Sequence, residues 1–392
     1  MKPKLLYIAN GFPSPEQPWK CPYNLRAVNG LSRYYEVTLF ETKSVYNFFK
    51  RRIRIYEGFE VRKLVVMPKV SDKRVNKLFG LIDRLLIRKF LKNSIISNDI
   101  IFSVSYGSHT AIVQKYCEQY KRIICIQLIG SEVSNMEGGE YDGSDFLNKV
   151  NLILSVSDSL GDRFTRFFPN LRPLRVYRGI DVNIPNVVQK TRGRKLRFLY
   201  LGGYIGRKYY PVDSVSQKGS DILLRAWEKF DKVSNGEFIL GLGGPFYEDG
   251  FSYEWANRLA HPEAIIHLGT IDYGAVDSVL REFDFLIVPS KSEGLPSLPL
   301  EAMLTGVCVI GSDCTALREL LKVNQYGLLF KNKEVDSLFQ LLYDIYLGDI
   351  EWENIADKSF DYVRQTFNSD NYGEQIHNVI LNLAKYADTN RA

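Results

Sequence analysis

Two carboxylates stand eight residues apart in the segment Asp284-Phe-Leu-Ile-Val-Pro-Ser290-Lys-Ser-Glu293-Gly294-Leu295-Pro-Ser-Leu-Pro299-Leu-Glu301-Ala-Met303. An apolar run ends at Pro289-Ser290, a turn carries Glu293-Gly294, and Pro299 stands where a helix's first residue belongs, a position that does not need the N–H proline lacks. The pattern predicts a strand whose following loop delivers a helix N-terminus to the sheet edge. Unpaired N–H groups and positive potential gather at such an end, so it favours a phosphate. Gly294 permits close backbone approach, and Glu301, expected in the first helical turn, can accept two hydroxyl hydrogen bonds. A vicinal diol such as a ribose suits it.

Positioning these groups requires a sheet, and the chain has the rhythm of one. Short runs rich in Leu, Ile, Val and aromatics alternate with longer segments of helical spacing, which reads as βαβ. In the first half the expected strands are Lys4–Ala9, Tyr35–Phe40, Phe59–Val65, Ile100–Val104, Ile123–Ile129, Leu152–Ser155 and Leu174–Tyr177. Their nearly unbroken apolar character predicts parallel strands covered on both faces. The pattern lapses at Val182–Lys195, where a linker is expected, and restarts with Leu196–Leu201, Phe238–Gly241, Ile265–Gly269, Phe285–Pro289 and Val307–Gly311. From about Trp352 the chain reads as helix without strand. The expectation is an α/β protein: a Rossmann-like domain over 1–185, a second over 195–350, and helices over 351–392 packing back towards the N-terminal domain. Doubly wound sheets bind ligands beyond the C-terminal ends of their strands, so two of them facing across a cleft predict a two-substrate enzyme.

The segment around Glu293 and Glu301 resembles the retaining glycosyltransferases of family 4, which have the GT-B fold of two Rossmann-like domains and a Glu-x7-Glu motif. The context agrees: Pro289-Ser290 before it, Glu301-Ala302-Met303 closing it, and Gly306, Val309-Ile310-Gly311-Ser312-Asp313, Glu319 and Gly327-Leu328-Leu329 after it. Upstream, Gly241-Leu-Gly243-Gly244-Pro245 resembles the family's glycine turn, and His267-Leu268-Gly269-Thr270 its base-contacting loop. Ser155-Val-Ser157-Asp158 and Tyr177-Arg178-Gly179-Ile180-Asp181 resemble the segments leading to the linker. The resemblance implies that Glu293 contacts donor-sugar hydroxyls, that Glu301 holds the ribose, and that backbone N–H groups near Gly294 and Leu295 meet the sugar and pyrophosphate. Gly244 and Thr270 are implied on the donor as well.

Glycosyl transfer passes through an oxocarbenium-like state while negative charge gathers on the leaving diphosphate, and cations must meet it. The family supplies an Arg and a Lys spaced Arg-x4-Lys; Lys218, followed by Gly219, fits the second position, and Arg207 is offered for the first although ten residues separate the two. In the N-terminal half the family's His-Gly-x-Asp-like segment reads Ile129-Gly130-Ser131-Glu132, so an isoleucine replaces the histidine. His109, after a different strand end, is the imidazole expected to reach the cleft, and Gly11, in the proline-rich loop after the first strand, is expected to approach the leaving phosphate. With no well-placed protein nucleophile, retention implies same-face attack with the departing phosphate as base. No cofactor and no metal are expected, because no His/Asp/Glu cluster has ligand spacing.

Composition narrows the rest. Lys and Arg number 51 against 45 Asp and Glu, a net +6 that is too small for a bulk nucleic-acid binder. The surplus is concentrated: Lys50 to Lys92 holds fourteen basic residues against four acids. Tyr46, Phe48, Phe49 and Tyr56 interleave with the basic run. Val75, Leu78, Phe79, Ile82, Leu85 and Leu86 fall at helical spacing and are expected to pack on the sheet, while the charge over 46–92 suits an anionic membrane surface. Five cysteines without a Cys-x2-Cys pair, and no stretch near the roughly 18 apolar residues of a membrane span, point to the cytoplasm, at most peripheral on the inner face of the cell membrane. The first strand lacks a following G-x-G-x-x-G, which argues against a nicotinamide dehydrogenase. The expected partners are a nucleotide-diphosphate sugar, a UDP-sugar ahead of a GDP-sugar, and a glycan or lipid-linked acceptor, in bacterial surface polysaccharide or lipopolysaccharide synthesis. The alternatives are a nucleotide-sugar epimerase of the same fold and a non-catalytic sugar-nucleotide-binding scaffold.

Overall fold

The computed structural model describes residues 1–18, 20–44, 53–67, 73–138, 145–182, 195–203, 217–244 and 249–389. The chain divides into two compact units, Met1–Gly179 with Asn368–Ala392, and Ile180–Phe367.

In chain order the first unit contains β1 (Lys4–Ala9), α1 (Pro22–Ser32), β2 (Glu36–Ser44), β3 (Ile53–Tyr56), β4 (Phe59–Val66), α2 (Lys73–Phe90) and α3 (Lys92–Ser97). Then follow β5 (Ile100–Val104), α4 (Ser108–Tyr120), β6 (Ile123–Leu128), α5 (Ser131–Glu137), β7 (Leu152–Ser155), α6 (Asp158–Thr165) and β8 (Leu174–Arg175). Its sheet runs β3-β4-β2-β1-β5-β6-β7-β8. The named strands are parallel except β3, which folds back antiparallel on β4 through Glu57-Gly58, both at positive φ. β1 shows why its run is apolar throughout: Leu5 and Tyr7 pack into one core with Phe102 and Val28, and Leu6 and Ile8 into another with Ile101 and Val113.

The second unit contains β9 (Arg197–Tyr200), α7 (Ser220–Ser234), β10 (Ile239–Gly243), α8 (Asp249–Ala256), β11 (Ile265–Gly269), α9 (Val276–Arg281) and β12 (Phe285–Val288). It continues with α10 (Ser297–Leu304), β13 (Cys308–Ser312), α11 (Thr315–Leu321), β14 (Leu328–Phe330), α12 (Val335–Leu347) and α13 (Trp352–Thr366). Its sheet, β11-β10-β9-β12-β13-β14, is parallel, and Phe198 of β9 stacks on Phe285 of β12 with centroids 4.6 Å apart. The last helix, α14 (Ser369–Thr389), belongs to the first unit and packs along α1, where Gly30 and Gly373 meet backbone to backbone.

Three differences from the sequence reading stand out. β3 and β14 were not expected. Of the helices over 351–392, α13 packs on α10 and β13 of the second unit, and only α14 joins the first. The stripe on α2 is also corrected. That helix buries Asp83 and Ile87, Asp83 Oδ1 accepting the Met67 N–H at 2.8 Å, so its packed face is turned away from Leu78 and Leu85, which stand in solvent. The expected linker falls mostly on 183–194, outside the described residues. Among the described residues, no helix is long and apolar enough to cross a membrane.

Candidate functional site

In the second sheet the strand order reverses between β9 and β12, so the loops after these two strands flank the switch point at which open α/β sheets bind ligands. The loop after β12 is the one that carries Glu293. It is held from below and from the side. The Ser290 carbonyl accepts the Ser312 hydroxyl, and the Lys291 carbonyl accepts Asn332 Nδ2 at 3.0 Å. The Lys291 N–H donates to the Gln217 carbonyl at 2.8 Å.

That last bond joins the loop to the segment entering α7. Gly219, the residue before that helix, has φ +70°, and a Cβ there would lie 1.9 Å from the Pro289 carbonyl oxygen. Only glycine permits both the backbone angle and the contact. Two ion pairs then span the seam. Lys291 Nζ donates to both carboxylate oxygens of Asp221, at 2.8 and 3.0 Å, with both side chains largely buried. Lys218 Nζ donates to Glu293 Oε1 at 2.7 Å, the glutamate side chain being 13% and the lysine side chain 41% exposed. Beneath them Tyr200 donates its hydroxyl to the Gly203 carbonyl at 3.1 Å, and burial, with smaller contributions from Asp221 and Glu293, pushes its phenol well above the ordinary range. Burial likewise raises the Cys314 thiol, and the Glu293 carboxylate adds to it.

Glu301 is half-buried on α10. The helix begins at Ser297 after an extended Pro296, so Glu301 is its fifth residue, in the second turn rather than the first, and Pro299 is its third residue rather than its first. Proline is tolerated there because the first-turn N–H groups have no intrahelical acceptor in any case. Gly294 and Leu295 lie half-buried in the turn between Glu293 and that helix. The glycine turn after β10 comes to within backbone distance of its neighbours: Gly244 has φ +119°, its N–H donates to the Gly269 carbonyl at 2.9 Å, and a Cβ on it would meet the Gly203 nitrogen at 2.6 Å. Thr270 follows β11 and is exposed. Arg207 lies outside the described residues.

In the first unit the strand order reverses beside β1, between it and β5. Gly11, after β1, is buried, its carbonyl accepting Asn24 Nδ2 at 2.6 Å, and a Cβ would crowd Cys21 Sγ at 2.8 Å. Its neighbour Phe12 donates its N–H to Glu41 Oε1 at 3.0 Å, and Glu41 is fully buried among Lys43, Arg54 and Lys20. Desolvation raises that carboxyl, but hydrogen bonds from Lys43 and Arg54 outweigh it and the result is below the ordinary value. His109 is the second residue of α4, half-buried, with desolvation pushing its imidazole down to about 4.

The structure thus brings together Lys218 and Glu293, which the sequence reading named separately. It adds Lys291, Asp221 and Tyr200, which that reading did not name. Only their positions show in the sequence, not their pairing: Lys291 lies two residues before Glu293 in the same loop, and Asp221 is the second residue of α7, after Lys218-Gly219.

Residues 213–359 match the model of a family described as glycosyl transferases group 1. The matched segment contains both ion pairs, the loop after β12 and Glu301. Among curated relatives, the chain is 30% identical over 167 residues to an uncharacterized glycosyltransferase of Methanocaldococcus jannaschii, covering 42% of this chain and 46% of that one. It is 24% identical over 313 residues to a glycogen synthase of Clostridium botulinum, covering 76% and 57%. The chain spans about half the length of the curated relatives it matches. Among solved structures, Anabaena HepE in complex with UDP is similar at 15% identity, TM-score 0.70, over 97% of this chain and 100% of that one. The sucrose-phosphate synthase of Thermosynechococcus elongatus is similar at 15% identity and TM-score 0.72, over 98% and 100%. The lipopolysaccharide outer core galactosyltransferase WaaB, in its apo form, is similar at 16% identity and TM-score 0.68, over 97% and 99%. These likenesses extend over both units, and the fold is GT-B.

Proposed function

We propose that the protein is a retaining, metal-independent glycosyltransferase of the family 4 type, a hexosyltransferase moving a sugar from a nucleoside-diphosphate sugar to a hydroxyl of a glycan or lipid-linked acceptor. The observation that carries this reading is the Lys218–Glu293 pair at the switch point of the second sheet, inside the segment that matches group 1 glycosyl transferases. A sugar needs a carboxylate that accepts hydrogen bonds from its hydroxyls, and a leaving diphosphate needs a cation; here the two stand 2.7 Å apart. Glu293 binds donor-sugar hydroxyls and Lys218 the pyrophosphate, with the backbone at Gly294 and Leu295 beside them, Glu301 on the ribose, and Gly244 and Thr270 towards the base. Arg207, Gly11 and His109 complete the proposed set, Gly11 near the leaving phosphate. The acceptor attacks the face from which the diphosphate departs, and the phosphate takes its proton.

HepE is solved with UDP and with UDP-glucose, which supports a UDP-sugar as the donor. WaaB's role in lipopolysaccharide supports a place in surface polysaccharide synthesis, at the cytoplasmic face of a membrane. The third partner in this reading is an anionic membrane surface met through 46–92.

The test is turnover. The protein incubated with UDP-glucose, UDP-galactose or GDP-mannose and a panel of glycan and lipid-linked acceptors should release nucleoside diphosphate, unchanged by EDTA, and proton NMR should show the donor's anomeric configuration in the glycoside formed. Binding of all three donors without release, or release only with added metal, would overturn the assignment.

A further inference from the structure

A helix on the flank of a sheet normally turns its apolar stripe inward. α2 leaves part of its stripe outside. Leu78, Leu81 and Leu85 are 56%, 53% and 65% exposed and follow one another at i, i+3 and i+7, so they form one row along the helix. The opposite side, with Asp83 and Ile87, is the one the unit buries. The flanks of the row are basic: Lys77, Arg84 and Arg88 run along one side, Lys89 lies on the other, and Arg74 stands at the helix start, all exposed. The helix's single acid, Asp83, is buried and bonded to the Met67 N–H.

We propose that α2 is an interfacial membrane helix, lying in the plane of an anionic bilayer with Leu78, Leu81 and Leu85 among the acyl chains and the flanking cations at the lipid headgroups. The inference rests on the membrane partner in the reading above and specifies how it is met. The occupant follows from charge complementarity. Three leucines need an apolar medium, and five exposed cations with no exposed acid need negative charge around it. An anionic bilayer supplies both in that order of depth. A second copy of the helix would bring like charge against like. Contact through charge alone would be released by salt over a Debye length of about 8 Å, whereas inserted leucines hold through it.

The experiment is flotation with vesicles of phosphatidylcholine, with or without phosphatidylglycerol, and no nucleotide present, so that its outcome is independent of donor chemistry. The full chain should float with the anionic vesicles only, and a fraction should stay bound when salt is raised. The triple variant L78S/L81S/L85S, whose thermal midpoint should match the wild type because the leucines are exposed, should bind roughly tenfold or more weakly and be released by salt. Should the triple variant not fold, the single variant L81W decides: brominated acyl chains should quench its added fluorescence. Absence of flotation at low salt, equal binding by the triple variant, no quenching in L81W, or a wild-type dimer that the triple variant loses would each overturn the proposal.

Discussion

Replacing Lys218 by Met separates an ion pair that serves the fold from one that serves the reaction. The two groups are 2.7 Å apart, with Glu293 13% and Lys218 41% exposed. Exposed pairs contribute about 0.2–1 kcal/mol, whereas removing one partner of a fully buried pair costs about 3–5 kcal/mol. With one side chain largely covered and the other partly exposed, this pair falls between them, and Lys218→Met should lower unfolding stability by about 1–2 kcal/mol. A domain of ordinary stability, about 5–15 kcal/mol, remains folded after such a loss. Turnover should respond far more. A preorganised group facing charge that develops in the transition state is worth about 2.7–4 kcal/mol, or about 10²–10³ in kcat. Urea unfolding and diphosphate release measured on Lys218→Met, Glu293→Gln and the double variant test both halves. The double variant should recover in stability the roughly 1 kcal/mol of coupling between the pair, and should recover none of the turnover. Wild-type turnover in Lys218→Met, or a stability loss as large as the kinetic one, would show that the pair is structural.

Further outcomes follow from neighbouring groups. Glu301→Ala should weaken UDP binding by about 10- to 100-fold, since a lost charge-assisted hydrogen bond costs about 1.5–3 kcal/mol, and calorimetry reads this without turnover. Asp221→Asn should strand Lys291 in a largely buried place and cost about 3 kcal/mol in denaturant unfolding, whereas Asp221→Asn with Lys291→Met should cost less than the single change. His109 ties stability to pH. Its folded imidazole stays neutral down to about 4 while the unfolded one charges near 6.5, so the unfolded state binds the extra proton in this window. Stability should fall as pH drops from 6.5 to 4, by up to about 3 kcal/mol, and His109→Gln should flatten that slope in pH-dependent urea unfolding.

The parallel strands were legible because burial on both faces writes itself as unbroken apolar runs, as in Leu5-Leu6-Tyr7-Ile8. β3 was hidden in the run Arg51-Arg-Ile-Arg54-Ile-Tyr56, where charge masks alternation on an edge strand, and β14 is only three residues long. Spacing and context singled out Glu293 and Glu301, and the structure sets Glu293 against Lys218 and Glu301 in the second turn of α10. The start of α10 was misplaced because the segment holds both Pro296 and Pro299, and the backbone takes the earlier one as its cap. Lys291 and Asp221 escaped because a cation and a carboxylate 70 residues apart carry no mark of pairing until the loop after β12 meets the start of α7. α2 shows the limit of periodicity. Spacing locates an apolar stripe on a helix, but which arc the sheet covers depends on where Asp83 finds the Met67 N–H.

The return of α14 to the first unit bears on how the chain is made. The first unit's sheet is complete at Arg175, yet one wall of its core comes from Tyr372, Ile376 and Ile380, which are synthesised after the whole second unit. A nascent chain therefore carries a finished sheet with the α1 surface open, while the second unit, continuous in sequence, has everything it needs to fold. The first-born unit is the last to close, by a helix seated where Gly373 meets Gly30 and His377 stacks on Tyr34 with centroids 4.2 Å apart. Through that interval the uncovered apolar face beside α1 is a surface that a chaperone would have to shield.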